Sequence, residues 1–540
     1  VVHVNAIKLI GKGLLTILIL ATIVGGYLAC LHIIIAQSDV IDTPIVILDN
    51  NYNLPFVKGG SGTEESPYII ENIVVNVKGE PALMIENSNK YLIIRNVTFI
   101  AENYRAVIQL YNVSHLTLEN VRIIGEKSDY GIALDNVTHS NFINVSIRGT
   151  LAPLSVKRPK EFENTFKHLK FYERNVIIVS NEKDIKISGT YAQVILYNVT
   201  NVVIDKAMIA SENVKFINFG VLAYYAEKLL IEDTTIKAAN AIFVYNSKNI
   251  TVRNSTIIFT NYGTSFENSS EIIVSNVKFI ASIKNLAVRI YKSSDALIEN
   301  LELSSTGISV SNSKDVTLRD IKIKGNMITI IESNNVILSN VEIKDCKSTA
   351  LEISSSMNVY IKKLVVKNIR FIYGTDIQKE ERVNAFVMRF IKGITISSSI
   401  IQNVYTGLMI VSGQDIVINN TTIYDAVIGL DGYYIHNFTF VSNYIGKVAS
   451  VGLKLMYSDN IEITRSTFSS IQATGIEFFS VESARVEYSA FENVGNYVVE
   501  DSQHEYLHNY WDKYTGVDLN GDGYGDQKFN VSAYSYDPAP

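Results

Sequence analysis

The residues of this chain best suited to chemistry lie near its end. Asp518, Asn520, Asp522 and Asp526 fall at relative positions 1, 3, 5 and 9, with Gly523 at 6 and the backbone carbonyl of Tyr524 at 7. That spacing matches the first part of a calcium loop, because Ca²⁺ is a hard cation that gathers oxygen ligands. Position 12, usually glutamate, is Phe529, so Asp512 or Asp537 would have to complete the shell. The expected role of the ion is to lock a cap rather than to catalyse. The alternative is a metal-free, Gly-rich acidic turn.

Other patterns are weaker. His504-Glu505-Tyr506-Leu507-His508 fits the zinc protease motif, which needs both histidines on one helix face and a third ligand. Here it falls in the last repeat or its boundary with the tail, and structural histidines are the expected reading. Gly59-Gly60-Ser61-Gly62-Thr63 is Gly-rich, but no lysine follows at phosphate-loop spacing. Carboxylates such as Asp129, Asp135, Glu232 and Asp233 would suit polysaccharide chemistry if paired in a cleft, but no lyase or glycosidase signature is present. The 31 tyrosines could stack on sugar rings if exposed, or pack and fill turns.

The elements that carry these residues are set by a repeat of about 22–25 residues, in the solenoid range. It reads Asn, three residues, alternating apolar positions, then Asn or Asp and alternation again. Copies start at Asn87, Asn112, Asn246, Asn268 and Asn312, with divergent ones near Ser333, Ser355, Ser412, Ser458 and Glu482. Period-2 alternation means strands: Ile250 and Val252 face one side, Asn249, Thr251 and Arg253 the other. The expected fold is all-β, a single-stranded right-handed parallel β-helix of about 18 coils. Asn tolerates the left-handed backbone of tight turns, and stacked amides can bond coil to coil. One expected column runs through Asn96, Asn120, Asn144, Asn254, Asn276, Asn300, Asp320 and Asn340. A second runs through Asn87, Asn112, Asn136, Asn198, Asn246, Asn268 and Asn312.

The expected organisation is an N-terminal membrane anchor or signal peptide at 1–40, a lead-in and cap at 41–86, the β-helix at 87–508 and a C-terminal cap with the calcium loop at 509–540. Insertions are expected at 151–175, mixed-charge and partly helical, and at 370–390. Lys8 and Lys12 precede an apolar run from Gly13 to Ala36, long enough to span a bilayer. Retained as an anchor or cleaved, it exports the chain. Asn-x-Ser/Thr sequons coincide with the columns at Asn96, Asn112, Asn144 and Asn254. Because a buried ladder would exclude a glycan, Asn249, Asn437 and Asn530 are the better expected sites.

Composition narrows the classes further. Hydrophobic residues at 47% and charged ones at 19% exclude a disordered chain. A net charge of −6 leaves no electrostatic footprint for nucleic acid. Cys30 and Cys346 cannot form a disulfide framework. Residue usage rich in Ile, Tyr, Lys and Asn leans toward a heat-adapted source.

Gly59 to Thr63 with Pro67-Tyr68-Ile69-Ile70-Glu71, the repeats, and Asn509-Tyr510-Trp511 followed by the 518–526 loop together resemble the NosD-like family of exported right-handed β-helix proteins, including archaeal cell-surface members. The resemblance covers about residues 45–540. It implies the fold and an exported setting, and function only weakly. The family's copper label is not carried over, since 8 His, 7 Met and 2 Cys are mostly scattered. The leading expectation is a cell-surface protein with a structural, adhesive or glycan-binding role, whose partners are the membrane, cell-surface polysaccharide or neighbouring subunits. A polysaccharide-active enzyme comes second. A maturation or assembly factor for another exported protein, as the resemblance implies, comes third.

Overall fold

The computed structural model describes residues 39–210, 219–281, 285–369 and 383–540. It has two compact units, one ending at Ile178 and one running from Val179 to Pro540. The apolar run at 13–36, Cys30 and the expected anchor lie outside the described residues. Among the described residues no helix is long and apolar enough to cross a membrane.

In the first unit the strands Tyr68–Glu71, Leu92–Arg95, Leu116–Glu119, Asn141–Ile143 and Thr165–Lys167 stack in parallel, about one repeat apart. The second unit does the same, for example through Lys314–Lys324, Asn334–Lys344 and Met357–Lys367. Alternation drives this. Ile250, Val252, Ile272, Val274, Ala296 and Ile298 point inward and are buried, while their strand neighbours face out. Burying each such aliphatic chain is worth about 1.5–3 kcal/mol.

The asparagine columns stand as expected. Asn120 donates to Asn96 at 3.4 Å and Asn144 to Asn120 at 2.6 Å; Asn112 donates to Asn87 at 3.0 Å and Asn136 to Asn112 at 2.9 Å. Their φ angles are near +55°, the left-handed corner that Asn tolerates. That corner recurs at Asn72, Asn96, Asn120, Asn144 and His168 in the first unit, and from Lys206 to His508 in the second. Contrary to the sequence reading, the columns are exposed rather than buried. Ladder bonding and backbone conformation constrain these asparagines, not burial. Asn437, expected to be free, belongs to a further column: it donates to Asp415 at 2.7 Å and accepts from Asn460 at 2.7 Å.

The first expected insertion is revised in part. Residues 151–175 are not a loop projecting from the stack: they carry strands paired with the preceding coil, a short 3-10 helix and, at Lys170–Phe171 against Arg174–Asn175, an antiparallel turn. Ala152 and Leu154 pair with Tyr130 and Ile132, Thr165–Lys167 pairs with Asn141–Ile143, and Lys170–Phe171 pairs with Ser146 and Ile147. The charges that suggested a loop cluster around a 3-10 turn, Pro159–Glu163, whose Glu161 carboxylate is buried and accepts backbone amides of Val137, Lys157 and Arg158. Of the second expected insertion, residues 370–382 lie outside the described residues, and Asn384 onward is already strand, Asn384–Ser397.

A buried polar ladder runs inside the second unit. Beside the left-handed corners at Asn246, Asn268, Lys292 and Asn312 one backbone N–H is buried and must find an acceptor. Ser247 N donates to Ser269 Oγ, Ser269 N to Ser293 Oγ, Ser293 N to Ser313 Oγ and Ser313 N to Ser333 Oγ, at 3.1–3.2 Å. Each of these serine hydroxyls in turn donates to the carbonyl two residues before it.

Candidate functional site

The C-terminal end of the second unit carries most of the residues singled out by sequence. The 518–526 loop is wound on itself. Asp518 accepts the amides of Gly521 (2.6 Å) and Gly523 (2.9 Å), and Asp522 accepts that of Tyr524 (2.9 Å). Asn520 Nδ2 donates to Asp522 at 3.1 Å and Asp526 at 3.2 Å. Gly521 and Gly523 hold φ of 74° and 91°, which favours glycine. Among the described residues no three His, Cys, Asp or Glu side chains converge as a metal centre. The candidates to complete a shell are committed elsewhere. Asp512 takes the Tyr497 hydroxyl and the Asn493 amide, which hold its carboxyl below the usual range; Asp537 is fully buried under the last coil. Phe529, at position 12, packs on Trp511 at 5.6 Å.

The zinc-like motif is a strand, Glu505–Leu507, not a helix. His504 is buried edge-on against Phe478, with its pKa lowered by burial; His508 packs against Tyr524; and Glu505 pairs with Arg485 at 3.4 Å. The Gly-rich turn near residue 60 closes on itself, since Ser61 N and Gly62 N both donate to Ser66 O. The acids noted by sequence are dispersed: Asp135 pairs with Lys157 at 2.6 Å in the first unit, and Glu232 with Arg253 at 2.6 Å in the second.

What sequence reasoning missed lies on the outward sheet faces. In the second unit two open concavities of about 680 and 710 Å³ share Asn300, Glu302 and Lys322 and so form one groove. Lys278, Lys324, Lys344 and Lys367 complete its cationic lining. Beyond it the same lane continues through Ile400, Thr422, Tyr444, Thr467, Ala490 and Tyr510. Of these, Tyr444 and Tyr510 are 37% and 58% exposed. The first unit has its own concavity of about 290 Å³, also after an asparagine column, lined by Asn120, Asn144, Arg122, Arg148, Lys170 and Glu173. The period had shown which residues face outward; the register across coils, which sets lanes, was not visible in it.

A separate acid stands on another outward lane of the second unit. Asp431 accepts the Tyr433 hydroxyl at 3.3 Å on one oxygen, while its other oxygen is buried without a hydrogen-bond partner. Burial raises its pKa, opposed by Tyr433 and Lys454.

Stacked parallel coils with an apolar interior and left-handed polar corners define a parallel β-solenoid. The chain belongs to the family described as right handed beta helix region, which matches residues 106–283, 267–389 and 384–509. No curated protein matches. Similar solved structures include the Pseudomonas phage phi297 tailspike gp61, at 9% identity over 49% of this chain and 48% of that one, with a TM-score of 0.28. The Streptococcus pneumoniae surface protein and adhesin PfbA matches at 10% identity over 79% and 91%, TM-score 0.26. The Azotobacter vinelandii mannuronan C-5 epimerase AlgE4 A-module matches at 11% over 69% and 87%, TM-score 0.22. The chain spans 48% and 56% of two phage tailspikes that it matches. At these scores the likenesses carry no functional argument.

Proposed function

We propose that this is an exported, cell-surface β-solenoid that binds glycan along its outward sheet faces. The carrying observation is the groove of the second unit, which offers Asn amides, Lys ammonium groups and, along the same lane, exposed Tyr444 and Tyr510. Amides and ammonium groups satisfy sugar hydroxyls, and exposed tyrosine offers a flat apolar face with a polar tip. The apolar run at 13–36 supports export, as an anchor or a signal. Ca²⁺ at Asp518, Asn520, Asp522, Tyr524 and Asp526 would stiffen the cap; it would require Asn520 to turn its carbonyl oxygen, in place of its amide nitrogen, toward Asp522 and Asp526.

A second reading, a polysaccharide lyase or hydrolase, is favoured by Asp431, an outward acid of raised pKa beside a tyrosine hydroxyl. A glycan array and a polysaccharide-degradation panel on the full chain, with and without calcium, separate the two. Binding without products is the expected result. Products lost in Asp431→Asn would establish the enzyme reading instead, and silence in both assays would remove the glycan reading.

A further inference from the structure

At several places the second unit sets opposite charges on neighbouring rungs, although Asp205 and Glu232 stand in register as like charges. Glu232 pairs with Arg253, Glu299 with Arg319 and Glu352 with Arg389; Glu462, Arg485 and Glu505 alternate in register. Opposite-charge neighbours stabilise a sheet, and like charges directly opposite destabilise it. One lane of the groove does the reverse. Lys324, Lys344 and Lys367 stand directly in register on three consecutive parallel strands, about 4.8 Å apart.

These lysines are only weakly compensated. Lys324 reaches Asp345 at 3.8 Å and Lys344 reaches Glu342 of its own strand at 3.7 Å, with the two lysine side chains 63% and 41% exposed. Among the described residues Lys367 has no ion pair. Lys322, in the adjacent lane, and Lys278 add to the same groove. Within it five lysines face Glu302, Glu342 and Asp320, an excess of positive charge in a chain whose net charge is −6. The first unit repeats the theme by itself: Arg122 and Lys170 are each in register with Ser146, and Arg148 lies beside them.

We infer that the groove takes an acidic polysaccharide, a linear chain bearing carboxylate or sulfate groups, with Lys324, Lys344 and Lys367 meeting successive anionic groups. This rests on the glycan-binding reading above and names its ligand class. The solenoid sets the spacing of the cations, so a ligand with regularly repeated charge gains all three contacts at once, and an isolated anion gains one. The Asn300 and Asn340 amides on the groove wall suit the hydroxyls between the charges. Removing the lysines relieves like-charge repulsion, so the variants should fold at least as well as the parent.

The test is binding of the full chain to an oligogalacturonate, a neutral xylo-oligosaccharide and a single-stranded DNA of matched length. The triple variants Lys324→Ala/Lys344→Ala/Lys367→Ala and Lys324→Arg/Lys344→Arg/Lys367→Arg are run beside it. The expected result is oligogalacturonate binding that weakens as salt rises, falls tenfold or more in the alanine variant and survives in the arginine variant. Preference for the neutral sugar, unaffected by the alanine variant, would overturn the inference while leaving the glycan reading in place. Equal binding of the DNA would overturn the inference in favour of a non-selective polyanion surface. Absence of binding to either sugar would overturn it as well, and the glycan array would then show whether the broader reading falls with it.

Discussion

Asn509 and Asp537 are joined twice: the backbone N–H and the side-chain Nδ2 of Asn509 both donate to the same Asp537 oxygen, at 2.9 and 3.1 Å. Trp511 Nε1 donates to that oxygen as well, at 3.2 Å. A second internal ladder arrives here, running from Thr421 through Asn443, Ser466 and Ser489 to Asn509. Each rung takes its acceptor from the next coil, and residues 510–540 form no full coil beyond Asn509. Asp537, on the tail strand Tyr536–Asp537, supplies the missing acceptor. The apolar column ends beside it, Phe468 on Phe491 at 5.0 Å, Phe491 on Trp511 at 4.4 Å, and Trp511 on Phe529. A solenoid must close its last rung in this way or expose its core.

Asp537→Ala should therefore be severely destabilising, because it strands three buried donors. At about 1–3 kcal/mol for a stranded group, a loss of roughly 3 kcal/mol or more is expected. Asp537→Asn keeps an acceptor oxygen and should cost less. Thermal melting with hydrogen exchange at residues 484–511 checks this; equal losses in both variants would contradict the capping role.

The serine ladder makes a milder prediction. Ser293→Ala removes the acceptor for Ser269 N and should cost about 1–2 kcal/mol, while Ser294→Ala, on the outward side, should cost little. Denaturant melts of the two variants decide it, and equal effects would sink the ladder account.

Calcium at the 518–526 loop should raise the melting temperature of the cap. Calcium at a hundred times its Kd adds about 2.7 kcal/mol. Asp518→Ala should abolish the shift. A titration of the parent chain with no change in melting would remove calcium from the account.

Asp431 sets a pH dependence. Its folded pKa is raised by burial, so the folded state binds its proton more readily than the unfolded chain. The stability tied to this group is then greatest below the ordinary carboxylate value of 3.8 and is lost as pH rises through the folded value. Asp431→Asn should raise the melting temperature at pH 7 by about 1–3 °C and leave it unchanged near pH 3. A lower melting temperature at pH 7 would show that the carboxylate is satisfied in its charged form.

Much of this fold was legible because its two strongest signals are local. Alternation exposed the strands, and Asn at a fixed spacing marked corners such as Asn96 and Asn112. The column of Asp415, Asn437 and Asn460 was harder to see, because equivalent corners are held by residues as varied as Lys228 and Glu271. Ser247, Ser269 and Ser313 directly follow Asn246, Asn268 and Asn312, but a buried acceptor for a neighbour's N–H has no signature within one repeat. The same holds for the lysine lane: Lys324, Lys344 and Lys367 lie 20 and 23 residues apart, and only the register shows that they are stacked. Asp537 was noted as a possible ligand because acids near a calcium-like loop invite that reading; its burial under Asn509 shows its structural use.

The central claim is that glycan lies along the outward groove of the second unit. Its most direct test is lysine acetylation mapping of the full chain, with and without the polysaccharide identified on the array. The account predicts slowed acetylation of Lys322, Lys324, Lys344 and Lys367, with Lys183, Lys248 and Lys314, which share a different lane outside the groove, unchanged. Uniform reactivity, or protection confined to Lys183, Lys248 and Lys314, would contradict it.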